Sequence, residues 1–278
     1  MDMVSKTWFV TGTSTGFGRA LAEELISAGH NVVATARNKN AIQDLYDKAP
    51  ERVLITNLEV TDTGSIHQAV EETLHRFQTI DVLVNNAGFG LVGAVEEVSL
   101  DEARQQFDVN VFGLLAVTQA VLPHMRKEGR GHIINISSQA GFVATPGLGI
   151  YAASKFAVEG ITEALAAEVK PMGIRVTSIQ PGPFRTQWAG ANMQRATRKL
   201  EAYAETAGAT DAMFHRINGS QPGDPVKAAQ AIMKVVDSEN PPLRLPLGQI
   251  AMDRISSKLK TVHDELETWK EVGLNTSF

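Results

Sequence analysis

Tyr151 and Lys155 are separated by three residues, a spacing that on a helix places both side chains on one face. A free phenol titrates at about 10, too high to move protons efficiently at neutral pH, and a neighbouring ammonium lowers that value by favouring the phenolate. Such a pair can give a proton to an oxygen or take one from it, which is the acid–base half of a carbonyl reduction or an alcohol oxidation. The other half is a hydride, which no side chain supplies, so this chemistry requires a redox cofactor beside the phenol. Ser138, at the end of an apolar run, could hydrogen-bond the same oxygen and stabilise charge developing on it. Each residue taken singly also has a plain reading: Tyr-x-x-x-Lys as an amphipathic surface pair, Ser137-Ser138 as turn chemistry, Asn110 as an internal hydrogen bonder.

The elements that would have to position these groups are legible as alternating patterns. Short apolar runs at Trp8 to Val10, Val32 to Ala36, Val53 to Ile55, Ile80 to Val84, His132 to Ile136, Val176 to Ile179 and Leu243 to Leu247 read as strands. Between them, Arg19 to Ser27, Ser65 to Phe77, Leu114 to Met125 and Tyr151 to Lys170 repeat apolar residues at three and four positions and read as helices. Strands apolar on both faces, alternating with helices, predict an α/β fold: one doubly wound parallel sheet with helices on both faces. No linker or repeat divides the chain, so 1–278 is expected to be a single domain. Residues 183–223 lose the alternation and read as a substrate loop. A helix over Pro225 to Val236 and a charged helix over about 250–272, packing on the outside, complete the expectation.

The segment Gly12-Thr13-Ser14-Thr15-Gly16-Phe17-Gly18 follows the first strand and opens the first helix. Glycines there allow a tight turn and let backbone N–H groups approach a pyrophosphate at a helix N-terminus, although a strand-to-helix turn that binds nothing has the same look. Dinucleotide folds usually place an acid after the second strand to bind the ribose hydroxyl; here the strand ends at Ala36 and Arg37 follows. A guanidinium suits a 2'-phosphate, which favours NADP(H), the alternative being an ordinary solvated arginine.

With three further motifs the sequence resembles the short-chain dehydrogenase/reductase family: Asn85-Asn86-Ala87-Gly88, then Ser137-Ser138 followed by Tyr151-Ala152-Ala153-Ser154-Lys155, and Pro181-Gly182-Pro183-Phe184-Arg185-Thr186. The resemblance runs from about residue 5 to residue 186 and implies a Rossmann-type sheet. It puts the catalytic set on Asn110, Ser138, Tyr151 and Lys155. Lys155 would also bind the nicotinamide ribose, and Asn110 would be a helix-kink asparagine holding a relay water. It implies dinucleotide contacts at Gly12, Ser14, Thr15, Gly16, Phe17, Gly18, Arg37, Leu58, Glu59, Asn86, Ala87, Gly88, Tyr151, Lys155, Pro181, Gly182, Phe184 and Thr186. One departure is Leu58-Glu59-Val60, where the family has aspartate at the middle position, which leaves the role of Glu59 open. The segment Pro241 to Gly248 resembles a branch often compared with steroid and retinol dehydrogenases. The resemblance also implies a homo-oligomer through the helices around Leu114 and Tyr151.

The reading is therefore an NADP(H)-dependent oxidoreductase for a small, fairly apolar carbonyl or alcohol, with Phe142, Val143, Leu148, Phe184 and Trp188 either forming the apolar pocket or serving as ordinary packing. An acyl-carrier-protein ketoreductase and an NADP(H)-binding regulatory or scaffold protein without turnover are the alternatives. A net charge of −5 argues against nucleic acid, and the absence of cysteine removes disulfides and thiolate chemistry. The seven histidines lack metal-ligand spacing, so no catalytic metal is expected. Arg195, Arg198 and Lys199, and Arg126, Lys127 and Arg130, read as solvated faces. The N-terminus, with Asp2 and only a short apolar run, lacks the layout of a signal peptide, and no run is long enough to span a membrane; a cytoplasmic location is expected.

Overall fold

The first strand, β1 (Thr7–Val10), is buried on both faces: Trp8 and Val10 join one apolar core, and Phe9 joins another on the opposite side. Alternation with period two inside a continuous apolar run is what a central parallel strand requires. The computed structural model describes residues 5–276 and 278; part of the N-terminal layout read above, Asp2 included, lies outside them.

The chain continues through α1 (Gly16–Ser27), β2 (Asn31–Ala36), α2 (Gln43–Lys48), β3 (Val53–Asn57), α3 (Thr63–Phe77), β4 (Val82–Asn85), β5 (Gly90–Val92) and α4 (Leu100–Phe107). It then forms α5 (Leu114–Glu128), β6 (Gly131–Ile136), α6 (Gly149–Val169), β7 (Ile174–Pro181), β8 (Met193–Arg195) and α7 (Ala209–Ile217). Helix α8 (Pro225–Asp237), β9 (Arg244–Leu247), α9 (Gln249–Thr268) and α10 (Lys270–Leu274) complete it. Seven strands pair in the order β3-β2-β1-β4-β6-β7-β9, all parallel, with Phe9 between Val33 and Leu83 and Ile133 between Leu83 and Val176. Each of the seven apolar runs identified in the sequence forms one of these strands.

Helices α1, α2 and α8 bury Leu21, Leu25, Leu45, Ile232 and Val236 against one face. Helices α3, α5 and α6 bury Ile66, Val117, Val121, Leu165 and Val169 against the other. The strand order steps outward in both directions from β1, so the connections after β1 and β4 leave on opposite sides and a crevice opens between them. A buried polar ladder ties that region together. The Asn85 amide donates to Thr118 Oγ1 and Asn135 Oδ1, both at 2.9 Å, and Asn135 donates to Thr162 Oγ1 at 2.9 Å.

Two features depart from the sequence expectation, and a third, a π-turn around Asn110, falls where a helix kink is expected. The stretch 183–223 is not a loop throughout: β8 pairs with β5, and α7 places Phe214 in a third apolar cluster with Leu148, Tyr151 and Met193. These elements are short and are stabilised by partners distant in sequence, so local periodicity does not announce them. A wide π-turn over Asp108–Gly113 joins α4 to α5. The charged C-terminal helix breaks at Trp269, and its buried residues are confined to Ala251 and Ile255, so only its first turns rest on the body. Among the described residues no helix is long and apolar enough to cross a membrane.

Inside β6, His132 is buried, with Nε2 2.9 Å from Thr177 Oγ1. The Thr177 hydroxyl donates to the Pro242 carbonyl at 2.8 Å, so the ring donates through Nε2 and leaves Nδ1 without a partner. Burial, helped by Arg175, pushes this histidine down to about 4. The unfolded chain takes up the proton first, at about pH 6.5, so stability is complete above that pH and declines as pH falls toward about 4. The expected loss is about 3 kcal/mol at 1.4 kcal/mol per unit. Urea midpoints at pH 7 and 4.5 should differ accordingly in the parent and by much less in His132→Gln; an equal pH response in both would refute this.

Candidate active site

The glycine turn sits at the C-terminal end of β1. Gly12 and Gly16 have φ of +71° and +62°, a region costly for any residue with a Cβ. Gly18 is required for a different reason: a Cβ there would lie 2.4 Å from both Asn86 Nδ2 and the Gly12 carbonyl. Asn86 donates through that amide to the carbonyls of Thr11, 2.8 Å, and Gly12, 3.0 Å. The Thr11 hydroxyl accepts the backbone N–H groups of Asn86 and Ala87, each at 2.9 Å. The ends of β1 and β4 are thereby clasped, and the turn is held over the crevice.

Helices α3, α4 and α8 begin with side-chain caps from Asp62, Ser99 and Asp224 that take up first-turn amides. Helix α1 differs. Thr15 makes no side-chain cap, and the first turn carries no acid. Its free amides and the positive end of its dipole face a cavity of about 910 Å³ that is bordered by Ser14 to Phe17 at one end and by Ser138, Tyr151 and Lys155 at the other.

Of the residues expected to contact the dinucleotide or to react, all border this cavity except Gly18 and Asn110. Asn110, inside the π-turn, accepts from the Phe89 N–H at 3.1 Å and donates to the Phe89 carbonyl at 3.0 Å and Ser154 Oγ at 3.3 Å. Both hydrogens of its amide and one lone pair of Oδ1 are taken by these partners, which ties the π-turn to the loop after β4. Glu59 accepts through Oε1 from the N–H and hydroxyl of Thr61 at 3.2 and 3.0 Å, which leaves Oε2 available at the cavity wall. Arg37 is exposed at the rim and makes no ion pair among the described residues, on a loop pinned by Asn38 and Asn57.

Tyr151 is 4% exposed, and its ring lies 5.1 Å from that of Trp188, which in turn meets Phe214 edge-on at 5.6 Å. Lys155 lies on the same face of α6, as the spacing implied, with Nζ 5.9 Å from the Tyr151 ring centroid. The ammonium is anchored on the Ile136 carbonyl at 2.8 Å rather than on the phenol oxygen. Burial pushes Tyr151 up to about 12, against a smaller opposite pull from the Ser138 hydroxyl. Burial likewise pushes Lys155 down to about 8, opposed by Glu159. Desolvation outweighs the attraction because each charged form would stand in a nearly dry site.

The residues present suit a dinucleotide. Besides the uncapped helix, Ser137 Oγ and Gln139 Oε1 are buried without partners at the cavity wall. A Cβ at Gly88 would fill space 3.0 Å from Asn110 Oδ1 and 3.9 Å from Lys155 Nζ. Across the turn, Asn192 Nδ2 reaches Thr15 Oγ1 at 3.2 Å, so the segment after β7 closes over the glycine end.

The apolar wall is only partly the expected one. Leu148, Phe184 and Trp188 border the cavity, but Phe142 and Val143 do not, since the short turn Gln139–Gly141 carries them away. Met213, Phe214 and Ile217 take their place, together with Ile250 and Arg254 of α9. The first three lie on one turn of α7, too short a stripe for local periodicity to announce. The contribution of α9 depends on tertiary packing alone. Arg195 also departs from expectation: it pairs with Asp211 at 2.9 Å and ties β8 to α7 instead of facing solvent.

The profile of the short chain dehydrogenases matches residues 6–197. The chain is 40% identical over 244 residues to the 3-ketodihydrosphingosine reductase of Bacteroides thetaiotaomicron, covering 87% of each. Among solved structures, a short-chain dehydrogenase from Streptomyces avermitilis superposes with a TM-score of 0.93 at 43% identity, covering 99% of this chain and all of that one. A short chain dehydrogenase/reductase from Burkholderia phymatum in complex with NAD gives 0.82 at 25% identity, covering 96% of each.

Replacing Thr11 by Val removes the acceptor for two backbone N–H groups and should cost about 2 kcal/mol of stability. Dinucleotide binding should weaken with it, while Thr11→Ser keeps both. Thermal melts and fluorescence titration with the dinucleotide measure this; a Val variant indistinguishable from the Ser variant would show that the clasp has no such role.

Proposed function

This chain belongs to the short-chain dehydrogenase/reductase family, and on that premise we propose that it is an NADP(H)-dependent carbonyl reductase or alcohol dehydrogenase for an apolar substrate, with Tyr151 as general acid and base. It is an oxidoreductase of that family, and a nicotinamide cofactor follows from membership. The reading is carried by one observation: Tyr151, Ser138 and Lys155 converge at one end of a cavity whose other end is the uncapped start of α1.

The cofactor, when bound, supplies or accepts the hydride at the substrate carbon. Tyr151 gives its proton to the substrate oxygen in reduction and takes it back in oxidation. Burial keeps the phenol protonated over the physiological range, which suits the acid role. Ser138 hydrogen-bonds the same oxygen and fixes it beside the phenol. Lys155, held by the Ile136 carbonyl, binds the nicotinamide ribose and places positive charge on the tyrosine's side of the site. Asn110 holds the Phe89 loop in place.

Arg37, with Ala36 where an acid would repel phosphate, supports NADP(H) over NAD(H). Met213, Phe214, Trp188 and Ile217 support an apolar substrate. The relative's action on 3-ketodihydrosphingosine fits a ketone on a long apolar chain. Homo-oligomerisation through the α5 and α6 face is supported by Phe112 and Phe156, 57% and 47% exposed.

Tyr151→Phe should bind dinucleotide as the parent does and lose turnover with a ketone panel by about 100-fold or more, because only the proton-transfer group is gone. Near-parental turnover would overturn the assignment. Arg37→Ala should weaken NADPH binding by about tenfold and leave NADH unchanged, as expected for one lost charge-assisted contact. A parent enzyme that prefers NADH would remove the NADP(H) half of the proposal.

A further inference from the structure

The C-terminal helix carries an apolar seam that its own chain leaves open. Along α9 and into the turn after it, Met252, Ile255, Leu259, Val262, Leu266 and Trp269 recur at alternating steps of three and four, the spacing of a coiled-coil seam. Ile255 rests on the body, whereas Leu259, Leu266 and Trp269 are 54%, 65% and 66% exposed. Every described residue from Leu259 to Thr276 is exposed. A helix standing alone in water at this length is marginal, and an apolar stripe along it calls for a cover.

Charge says what the cover is. The first half of the helix bears Arg254, Lys258 and Lys260 against one acid, Asp253, and the second half bears Asp264, Glu265, Glu267 and Glu271 against one base, Lys270, so the halves have opposite net charge. Among the described residues Lys258, Lys260, Asp264 and Glu265 form no ion pair within the chain.

We propose that α9 pairs with α9 of a second copy of this chain, antiparallel, about a twofold axis near Thr261. In that register Leu259 of one copy faces Val262 of the other, and Met252 faces Trp269. Lys258 of each copy comes beside Glu265 of the other. A parallel alignment would instead lay the two basic halves beside each other and the two acidic halves beside each other. The twofold makes one surface complementary to itself and closes the assembly at two copies of this contact. A membrane surface is a poorer occupant, because interfacial helices carry Lys and Arg on the polar face and here the most exposed half of the seam is flanked by acids. The contact uses a different face from α5 and α6, and both contacts can form together. It also reaches the active site: Ile250 and Arg254, on the turns beside Met252, border the cavity, and Arg254 donates to Thr145 Oγ1 at 2.8 Å.

Sedimentation of the full chain tests the pairing. Leu259→Glu/Leu266→Glu should halve the assembled mass with dinucleotide binding intact, since neither residue touches the cavity. Lys258→Glu should weaken self-association by about tenfold, two symmetry-related attractions becoming repulsions, and Lys258→Glu/Glu265→Lys should restore it. Because the chain has no cysteine, Met252→Cys and Trp269→Cys report pairing without background. The two variants mixed should form a disulfide-linked dimer under oxidation. Trp269→Cys alone should not, since antiparallel pairing holds those ends about 25 Å apart at about 1.5 Å per residue. An unchanged mass for the double-glutamate variant overturns the proposal. So does failure of the charge swap to restore association, self-crosslinking of Trp269→Cys, or sedimentation of the parent with anionic vesicles in place of self-association.

Discussion

The clasp between Thr11 and the Asn86-Ala87 backbone is the constraint on which the site depends. Parallel strands β1 and β4 are neighbours, but the connections after them diverge to opposite faces, and the sheet's own bonding ends with the Thr11 N–H donating to the Val84 carbonyl at 3.0 Å. The Thr11 hydroxyl accepts two backbone amides, and the Asn86 side chain returns two bonds to the turn carbonyls. With those carbonyls satisfied from behind, the first-turn amides of α1 are left toward the cavity. The same clasp fixes the start of the Asn86 to Phe89 segment, whose far end Asn110 holds through both the N–H and the carbonyl of Phe89. One end of the cavity is thus built against the other through a short run of hydrogen bonds.

Burial then sets the proton chemistry. Tyr151 and Lys155 lie on one face of α6, in a dry corner between the sheet and the segment after β7, and each is driven toward its neutral form. A phenol held protonated is ready to give a proton, and an amine close to losing its own is sensitive to any charge brought beside it. One turn further along α6, buried Glu159 accepts from Ser178 Oγ at 2.5 Å and pairs with Arg244 of β9 at 3.2 Å. It helps to keep Lys155 charged and connects α6 to the last strand of the sheet.

The segment after β7 works as a wall fitted onto this frame. Trp188 stacks between Tyr151 and Phe214, β8 pairs with β5, and Asn192 reaches the glycine turn. Its contacts are mostly apolar or single hydrogen bonds, weaker than the sheet beneath it. Differences in substrate preference among similar chains can therefore arise here without disturbing the proton-transfer residues.

The sequence by itself determined the sheet, the glycine turn and the reactive pair, because each is written in local terms: period-two and period-3.6 apolar patterns, glycines at tight turns, and a three-residue gap on a helix. It also placed almost every expected contact on one cavity, since those motifs all follow strands whose ends lie at the same edge. Tertiary structure alone decided the rest. Whether Lys155 or desolvation governs Tyr151 depends on how much water reaches α6. Whether Phe142 or Phe214 walls the cavity depends on a turn and a short helix stabilised from afar. Arg195 pairs with Asp211, sixteen residues on, only because β8 and α7 are packed together, and the outer half of α9 is exposed because the body ends at Ile255. Burial and long-range pairing belong to the assembled chain, and no spacing within a single segment encodes them.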